Sequence, residues 1–279
     1  MTGSVAVGLG VALASAAALN WGFYAQHGAA SALPALQIRH PLRSLRLLFT
    51  SPRWVIGFVT GLGGWALYVL ALALAPLSLV QAVSAGGVGL LALFVGSAQG
   101  LSRREWLGVS CAVVGLALLG ASLAGHVASG TGADWVAVAV WVGASACAAL
   151  LAPALVSGAA GFGLAAGTLY AAGDVATKAA TSGSARLAFI PIVLACHGLA
   201  FVCLQLGFQR GGALASAGLA TLLTNALPIL AGMTLFDEGL PGGAQGALRV
   251  LAFVAVVAGA AVLAAPEHEP RALPQAQAG

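Results

Sequence analysis

The chain consists of long apolar runs separated by short polar connections. Within the runs the apolar residues are continuous and do not alternate with polar ones. Nine of these runs are close to the length of about 20 residues that an α-helix needs to cross a bilayer. This pattern predicts membrane-spanning helices and argues against the alternating strands of an outer-membrane barrel. The predicted spans are 4–26, 54–75, 77–98, 105–123, 134–152, 159–180, 187–208, 213–236 and 246–265.

Two segments outside the spans differ from them in composition. Residues 27–53 carry four arginines, and the run 36–49 is both basic and amphipathic, which predicts a segment on the membrane surface. Residues 266–279 contain proline and charge but no apolar run, so we expect a disordered tail. No Lys or Arg precedes the first span, which predicts a helix of the mature protein and not a cleaved signal peptide.

Composition narrows the class of protein. Of 279 residues, 60% are hydrophobic and 6% are charged. A soluble fold of this length could not bury so much apolar surface, so the lipid bilayer is the expected partner. The net charge of +4 does not indicate nucleic-acid binding, because the arginines lie in the connections between spans. The four cysteines lie within spans and show no metal-ligand spacing.

The distribution of arginines predicts the orientation. Positive residues concentrate in cytoplasmic loops of membrane proteins. With nine spans, the bias places the N-terminus outside and the C-terminus in the cytoplasm, in an inner or plasma membrane. The arginines assigned to the cytoplasm are Arg39, Arg43, Arg46, Arg53, Arg103, Arg104, Arg210 and Arg271.

Three pairs of segments are similar in the same order along the chain. Residues 11–30 resemble 163–182, 63–76 resemble 197–210, and 107–122 resemble 251–266. This predicts a four-helix repeat over 1–125, a linking helix in 126–158 and a second four-helix repeat over 159–265. The single linking helix inverts the second repeat relative to the first, which is a common plan of secondary transporters.

The chain resembles a known superfamily in the stretches 64–87, 101–119 and 204–241. These residues are similar to the drug/metabolite transporter superfamily, nearest the nine-helix NIPA-like and EamA-like branch that includes magnesium transporters. Glu238 matches the acid of a Gly-Glu-Arg-Leu-like family turn, whereas the arginine is absent there and Gln99 replaces the acid in the first half. The resemblance implies a secondary carrier of small solutes.

Asp174 and Lys178 are the sharpest chemical feature of the spans. They lie at positions i and i+4, so they share one helix face and can form an ion pair. Charges at membrane depth are costly and usually line a functional cavity. One hypothesis is a substrate or proton site. The alternative is a neutralised pair that orients helices, with Lys178 extending towards the interface.

Other polar residues are weaker candidates for the same site. Asn20, Trp21, Tyr24 and Gln26 would form the facing wall of a cavity, or the two aromatic residues would belong to an interfacial belt. Gln81 and Asn225 would bind solute, or would join helices by hydrogen bonds, and Pro228 predicts a break or kink after Asn225.

His197 would relay protons, or would serve only in packing, because no carboxylate or second histidine lies at ligand spacing in the sequence.

Three functional hypotheses remain open at this stage. The first is a secondary active transporter of a small polar or amphipathic metabolite, working by alternating access and proton-coupled as an exporter. The second is a NIPA-type magnesium transporter, disfavoured by Lys178 beside the carboxylate. The third is a non-transporting scaffold or sensor. We expect no enzymatic activity and no cofactor, because no nucleotide loop or nucleophile–base set is present. A metal site and a homodimer are left open.

Overall fold

The computed structural model describes residues 2–36, 41–74, 83–84, 86–123, 134–182, 190–235 and 243–264. In these residues the chain forms ten α-helices and one π-helical turn, and no strand, which confirms the all-helical prediction. The helices are α1 (Thr2–Ala30), α2 (Pro41–Phe49), α3 (Pro52–Leu74), α4 (Gly87–Gln99), α5 (Arg103–Leu123), α6 (Trp135–Leu155), α7 (Gly158–Ser182), α8 (Ile190–Phe208), α9 (Leu219–Leu235) and α10 (Gly243–Ala264), and the π-helical turn is Leu214–Gly218.

Five helical segments of the described residues are long and apolar enough to cross a membrane. The chain is therefore a multi-pass membrane protein. The count of nine spans and the inverted repeat stay predictions. The five segments are Ala6–Ala30, Trp135–Leu155, Ile190–Phe208, Leu214–Gly232 and Gly243–Leu263.

Eight of the nine predicted spans coincide with observed helices to within a few residues at the described ends. Within the third span, residues 83 and 84 are helical, and α4 begins at Gly87 after a turn at Gly86. Gly86 forms a turn in which its N–H donates to the carbonyl of Val83 at 3.0 Å. Two consecutive glycines have low helix propensity, which explains a helix that begins here. The residues 75–82, 85, 236–242 and 265–279, which include the predicted tail, lie outside the described part.

The predicted surface segment contains α2. Arg43 and Arg46 are exposed on this helix, whereas Leu48 is buried against the bundle. The ring of Phe49 lies 5.1 Å from that of Trp54, at the beginning of α3. This amphipathic arrangement fits a helix at the membrane surface, and its position relative to the lipid stays a prediction.

Helix packing depends on close approach at glycines. Helices α1 and α3 pair, as do α7 and α8, and α5 and α10. At the α5–α10 contact, a Cβ on Gly115 would lie 2.7 Å from the backbone nitrogen of Val256. At the contact between α7 and the π-helical turn, a Cβ on Gly163 would lie 2.6 Å from the carbonyl oxygens of Ala215 and Ser216. Small residues therefore set the distances between these helices.

The irregular backbone of the C-terminal half lies before α9 and not at its proline. Helix α9 continues through Pro228, so the chain is not broken after Asn225, and the alternative of a kink there stays a prediction. The π-helical turn Leu214–Gly218 leads directly into α9 and packs against α4, α7, α8 and α10. The residues of this turn are mostly buried, so the turn is tightly packed. This packing stabilises its irregular hydrogen bonding.

Candidate functional site

An ionisable pair joins α7 to α8. The Nε2 atom of His197 lies 3.5 Å from the Oδ1 atom of Asp174, and both side chains are partly exposed, 38% and 45%. Asp174 nevertheless lies on a helix whose neighbouring residues, Gly173 and Val175, are buried. The carboxylate and the imidazole are therefore accessible, although the helix around Asp174 is well packed.

The hydrogen bonds of His197 determine how many protons the pair holds. Its Nδ1 atom lies 3.0 Å from the carbonyl of Val193, so Nδ1–H is the donor there. In neutral imidazole the Nε2 atom is then an acceptor. A hydrogen bond between Nε2 and Asp174 requires one further proton, carried either by the imidazole or by the carboxyl group. The pair is thus a site for one exchangeable proton.

Gly173 makes room for the imidazole. A Cβ atom at this position would overlap the ring of His197 at its Cε1 and Nδ1 atoms. The ring of Tyr170 meets the same imidazole edge-on, with ring centroids 5.7 Å apart. The absent side chain of Gly173 and the aromatic face of Tyr170 together hold the imidazole beside Asp174.

We expect Gly173→Ala to separate the pair while leaving both ionisable groups in the chain. The new methyl group displaces the imidazole, because a side chain yields more readily than the helix backbone. In ¹⁵N-histidine spectra of purified protein, the shifts of His197 should move towards those of an unpaired imidazole. Gly198→Ala is the control, because nothing lies within 4 Å of that Cβ position. Identical His197 shifts in wild type and Gly173→Ala would contradict this role of Gly173.

Two tyrosines, one from each part of the bundle, lie within electrostatic reach of the carboxylate. Asp174 acts electrostatically on Tyr170 of its own helix and on Tyr68 of α3. Tyr68 also packs beside Ala12 of α1 and Ala71 of α3. Asp174 therefore faces the region where the N-terminal helices approach the C-terminal ones.

Two of the predicted site residues fall partly or wholly outside the described part of the chain. Lys178 lies one turn beyond Asp174 in α7, but its side chain is outside that part, so the ion pair between them stays a prediction. Gln81 lies wholly outside the described residues.

Asn20 and Asn225 hydrogen-bond to their own helices. The Nδ2 atom of Asn20 donates to the carbonyl of Ala16, and that of Asn225 donates to the carbonyl of Thr221. Asn20 is buried, and its amide abuts Gly87, where a Cβ would lie 2.5 Å from Nδ2. Asn20 thus packs against the beginning of α4.

Trp21 and Tyr24 occupy different surroundings. Trp21 is exposed on α1. The ring of Tyr24 lies 6.4 Å from that of Phe94 in α4, and the guanidinium of Arg53 lies 5.9 Å from its centroid. Tyr24 therefore belongs to the end of the bundle at which α3 begins, and its aromatic face is engaged by Arg53.

The structure also forms a polar cluster that joins Gln26, which was predicted for the cavity wall, to two residues without a predicted role in the site, Trp54 and Gln205. Gln205 of α8 accepts a hydrogen bond from Nε1–H of Trp54 and donates one to Oε1 of Gln26, both at 2.8 Å. All three residues are buried. Two glutamines inside apolar spans were the available signal, but the contact joins residues 179 positions apart, which no local pattern indicates.

Comparisons with known proteins give a distant relationship to a transporter. No family model matches the chain. No solved structure matches it either. A protein of Arabidopsis thaliana described as a probable magnesium transporter NIPA9 is 32% identical over 111 residues, which are 39% of this chain and 32% of the relative. The chain thus spans about a third of the length of the curated relative that it matches. A multi-pass helical membrane protein with distant similarity to one transporter is what these findings establish.

Proposed function

We propose that the protein is a secondary active transporter of a small polar or amphipathic metabolite. The solute and a proton would compete for, or share, the site around Asp174 and His197. The observation that carries the proposal is the pair itself, because it joins two helices of a membrane bundle through one exchangeable proton. Intramembrane ionisable groups mark substrate or proton pathways by default.

Loss of the proton gives a means of coupling. Without it, the carboxylate of Asp174 faces the Nε2 lone pair of His197, and the contact becomes repulsive. Proton binding therefore joins α7 to α8, and proton release frees them to rearrange. Tyr68 of α3 lies within electrostatic reach of Asp174, so in this proposal the loss of the proton also acts on the N-terminal helices.

The proposed mechanism is alternating access between two inverted four-helix repeats, in the drug/metabolite transporter manner. The packing supports it, since the pair α1–α3 has a counterpart in α7–α8, and α5 packs against α10. The sequence contains no nucleotide-binding loop, so an ion or solute gradient would supply the energy. In this proposal the protein has no enzymatic activity, and Asp174 and His197 bind protons without covalent chemistry.

A magnesium transporter is the second candidate, favoured by the similarity to the probable magnesium transporter of Arabidopsis thaliana. Magnesium prefers oxygen ligands and retains several waters, so one carboxylate would contact a hydrated ion. Among the described residues, no group of three or more His, Cys, Asp and Glu side chains converges on a metal-sized site. The site as described therefore suits a proton better than a dehydrated dication.

Flux measurements separate the two candidates. We expect wild-type protein in liposomes to move protons, reported by a trapped pH dye, when a panel of amines, amino acids and nucleosides is added across a pH gradient. We expect no uptake of Mg²⁺, reported by a trapped magnesium dye, above that of protein-free liposomes. Magnesium uptake that is independent of the pH gradient would overturn the metabolite reading in favour of the second candidate.

A further inference from the structure

We propose that Gln26, Trp54 and Gln205 form a gate, which closes the passage between the Asp174–His197 pair and the arginine end of the bundle. The arginine end is the end at which α1 and α8 terminate and α3 begins. This inference rests on the proposed transporter function, because a gate matters only if a solute passes.

The position of the cluster along the helices supports a gate. Gln26 and Gln205 lie within about one turn of the last residues of α1 and α8, and Trp54 lies in the first turn of α3. His197 precedes Gln205 by eight residues, which is about 12 Å of helix. The cluster therefore lies between the ionisable pair and the arginine end along α8, which is where the proposed passage would close.

The cluster joins the N-terminal helices to the C-terminal ones by polar contacts. The amide of Gln205 uses its oxygen for Trp54 and its nitrogen for Gln26, so one side chain ties α8 to α3 and α1. The rings of Trp54 and Phe58 stack at 5.2 Å, and both meet Phe201 of α8 edge-on. This aromatic layer excludes water from the closed gate.

A second layer lies closer to the arginine end. The side chain of Gln209 donates to the carbonyl of Ala30 at 2.9 Å and accepts from the N–H of Leu36 at 2.8 Å. The Nε2 atom of His27 lies 2.9 Å from the carbonyl of Gly211. Both layers connect the end of α1 to the end of α8, so the two ends are held together across the same junction.

Amide hydrogen bonds suit a contact that must open and close. Each hydrogen bond of Gln26 and Gln205 favours the closed state only modestly, because water replaces most of the lost interaction when the gate opens. A purely apolar junction would expose hydrophobic surface to water on opening. A salt bridge would have to be desolvated on closing. The amides give a closed state that is specific without being permanent.

The test measures distances and does not depend on a transported solute. Spin labels are placed at Ala32 and Ser157, exposed positions on the N-terminal and C-terminal parts near the arginine end. The native cysteines Cys111, Cys147, Cys196 and Cys203 are replaced by alanine. A second label pair, at Ser157 and Gly212, lies within the C-terminal part and should not respond.

We expect Gln205→Ala to raise the ratio of long to short Ala32–Ser157 distances by about tenfold, because it removes two buried hydrogen bonds that hold the closed state. Trp54→Phe removes one of them with little loss of volume and should shift the ratio in the same direction by less. If Gln205→Ala does not fold, the distances measured in Trp54→Phe decide the test. Thr234→Val, which removes a hydrogen bond within α9, is the matched control.

The outcomes separate the gate from the transporter proposal. Distance distributions of both gate variants that overlay wild type would overturn the gate, whatever the flux. A shift to longer distances in a protein that moves no tested solute would support the moving junction and would count against the transporter function.

Discussion

Asp174→Asn is expected to reduce proton-driven solute flux to the level of protein-free liposomes. Asparagine has the shape of the carboxyl group but binds no exchangeable proton. Its Nδ2–H can donate to Nε2 of His197, so α7 and α8 stay joined at every pH. The variant should therefore fold and insert normally while losing coupling, which flux into proteoliposomes across an imposed pH gradient would measure.

Counterflow provides the internal control for this prediction. Exchange of labelled for unlabelled solute requires binding but no net proton movement, so we expect it to survive in Asp174→Asn. Thr168→Val is the matched polar substitution on the same helix, since Thr168 bonds only to the carbonyl of Leu164 among the described hydrogen bonds. Gradient-driven flux at the wild-type rate in Asp174→Asn would show that the pair is structural.

Gly163→Ala is expected to lower the stability of the bundle more than alanine does at a glycine with open space around its Cβ position. Its Cβ would lie 2.6 Å from the carbonyl oxygens of Ala215 and Ser216, which belong to the backbone of the π-helical turn and cannot rotate away. Overpacking of this kind costs ~1–3 kcal/mol. At roughly 2–4 °C per kcal/mol, the apparent Tm in detergent should fall by several degrees.

Gly143→Ala is the matched control for the packing prediction. Nothing lies within 4 Å of the Cβ position of Gly143, and the residue is exposed on α6. Alanine there gains helix propensity, up to about 1 kcal/mol, so the Tm should stay the same or rise. Equal Tm values for the two variants would mean that α7 and the π-helical turn tolerate separation.

Hydropathy alone predicted where the helices lie. The spans over 159–180 and 187–208, for example, correspond to α7 and α8, because apolar side chains in a bilayer require internally satisfied backbone. The turn at Gly86 within the third span was not predicted, since the hydropathy of that run is continuous. The break that Pro228 predicted in α9 is absent, because neighbouring packing overrides the local preference of proline.

For the candidate site, the sequence predicted the residues but not the contact between them. The sequence by itself identified Asp174 and His197, because an ionisable side chain is conspicuous in an apolar span. It could not pair them, since 23 positions separate them along the chain and the contact depends on how α7 lies against α8. Sequence reasoning therefore treated His197 as lacking a carboxylate.

Composition and hydropathy thus determined that this protein is a helical membrane protein and which rare polar residues its spans contain. Only the tertiary structure decided that Asp174 meets His197 beside Gly173, and that Gln205 joins Gln26 to Trp54. The physical reason is that the two kinds of property depend on different lengths of chain. Transfer free energy is a property of each segment alone, whereas a hydrogen bond between helices depends on rotation and crossing angle, which the packing of many small residues sets together.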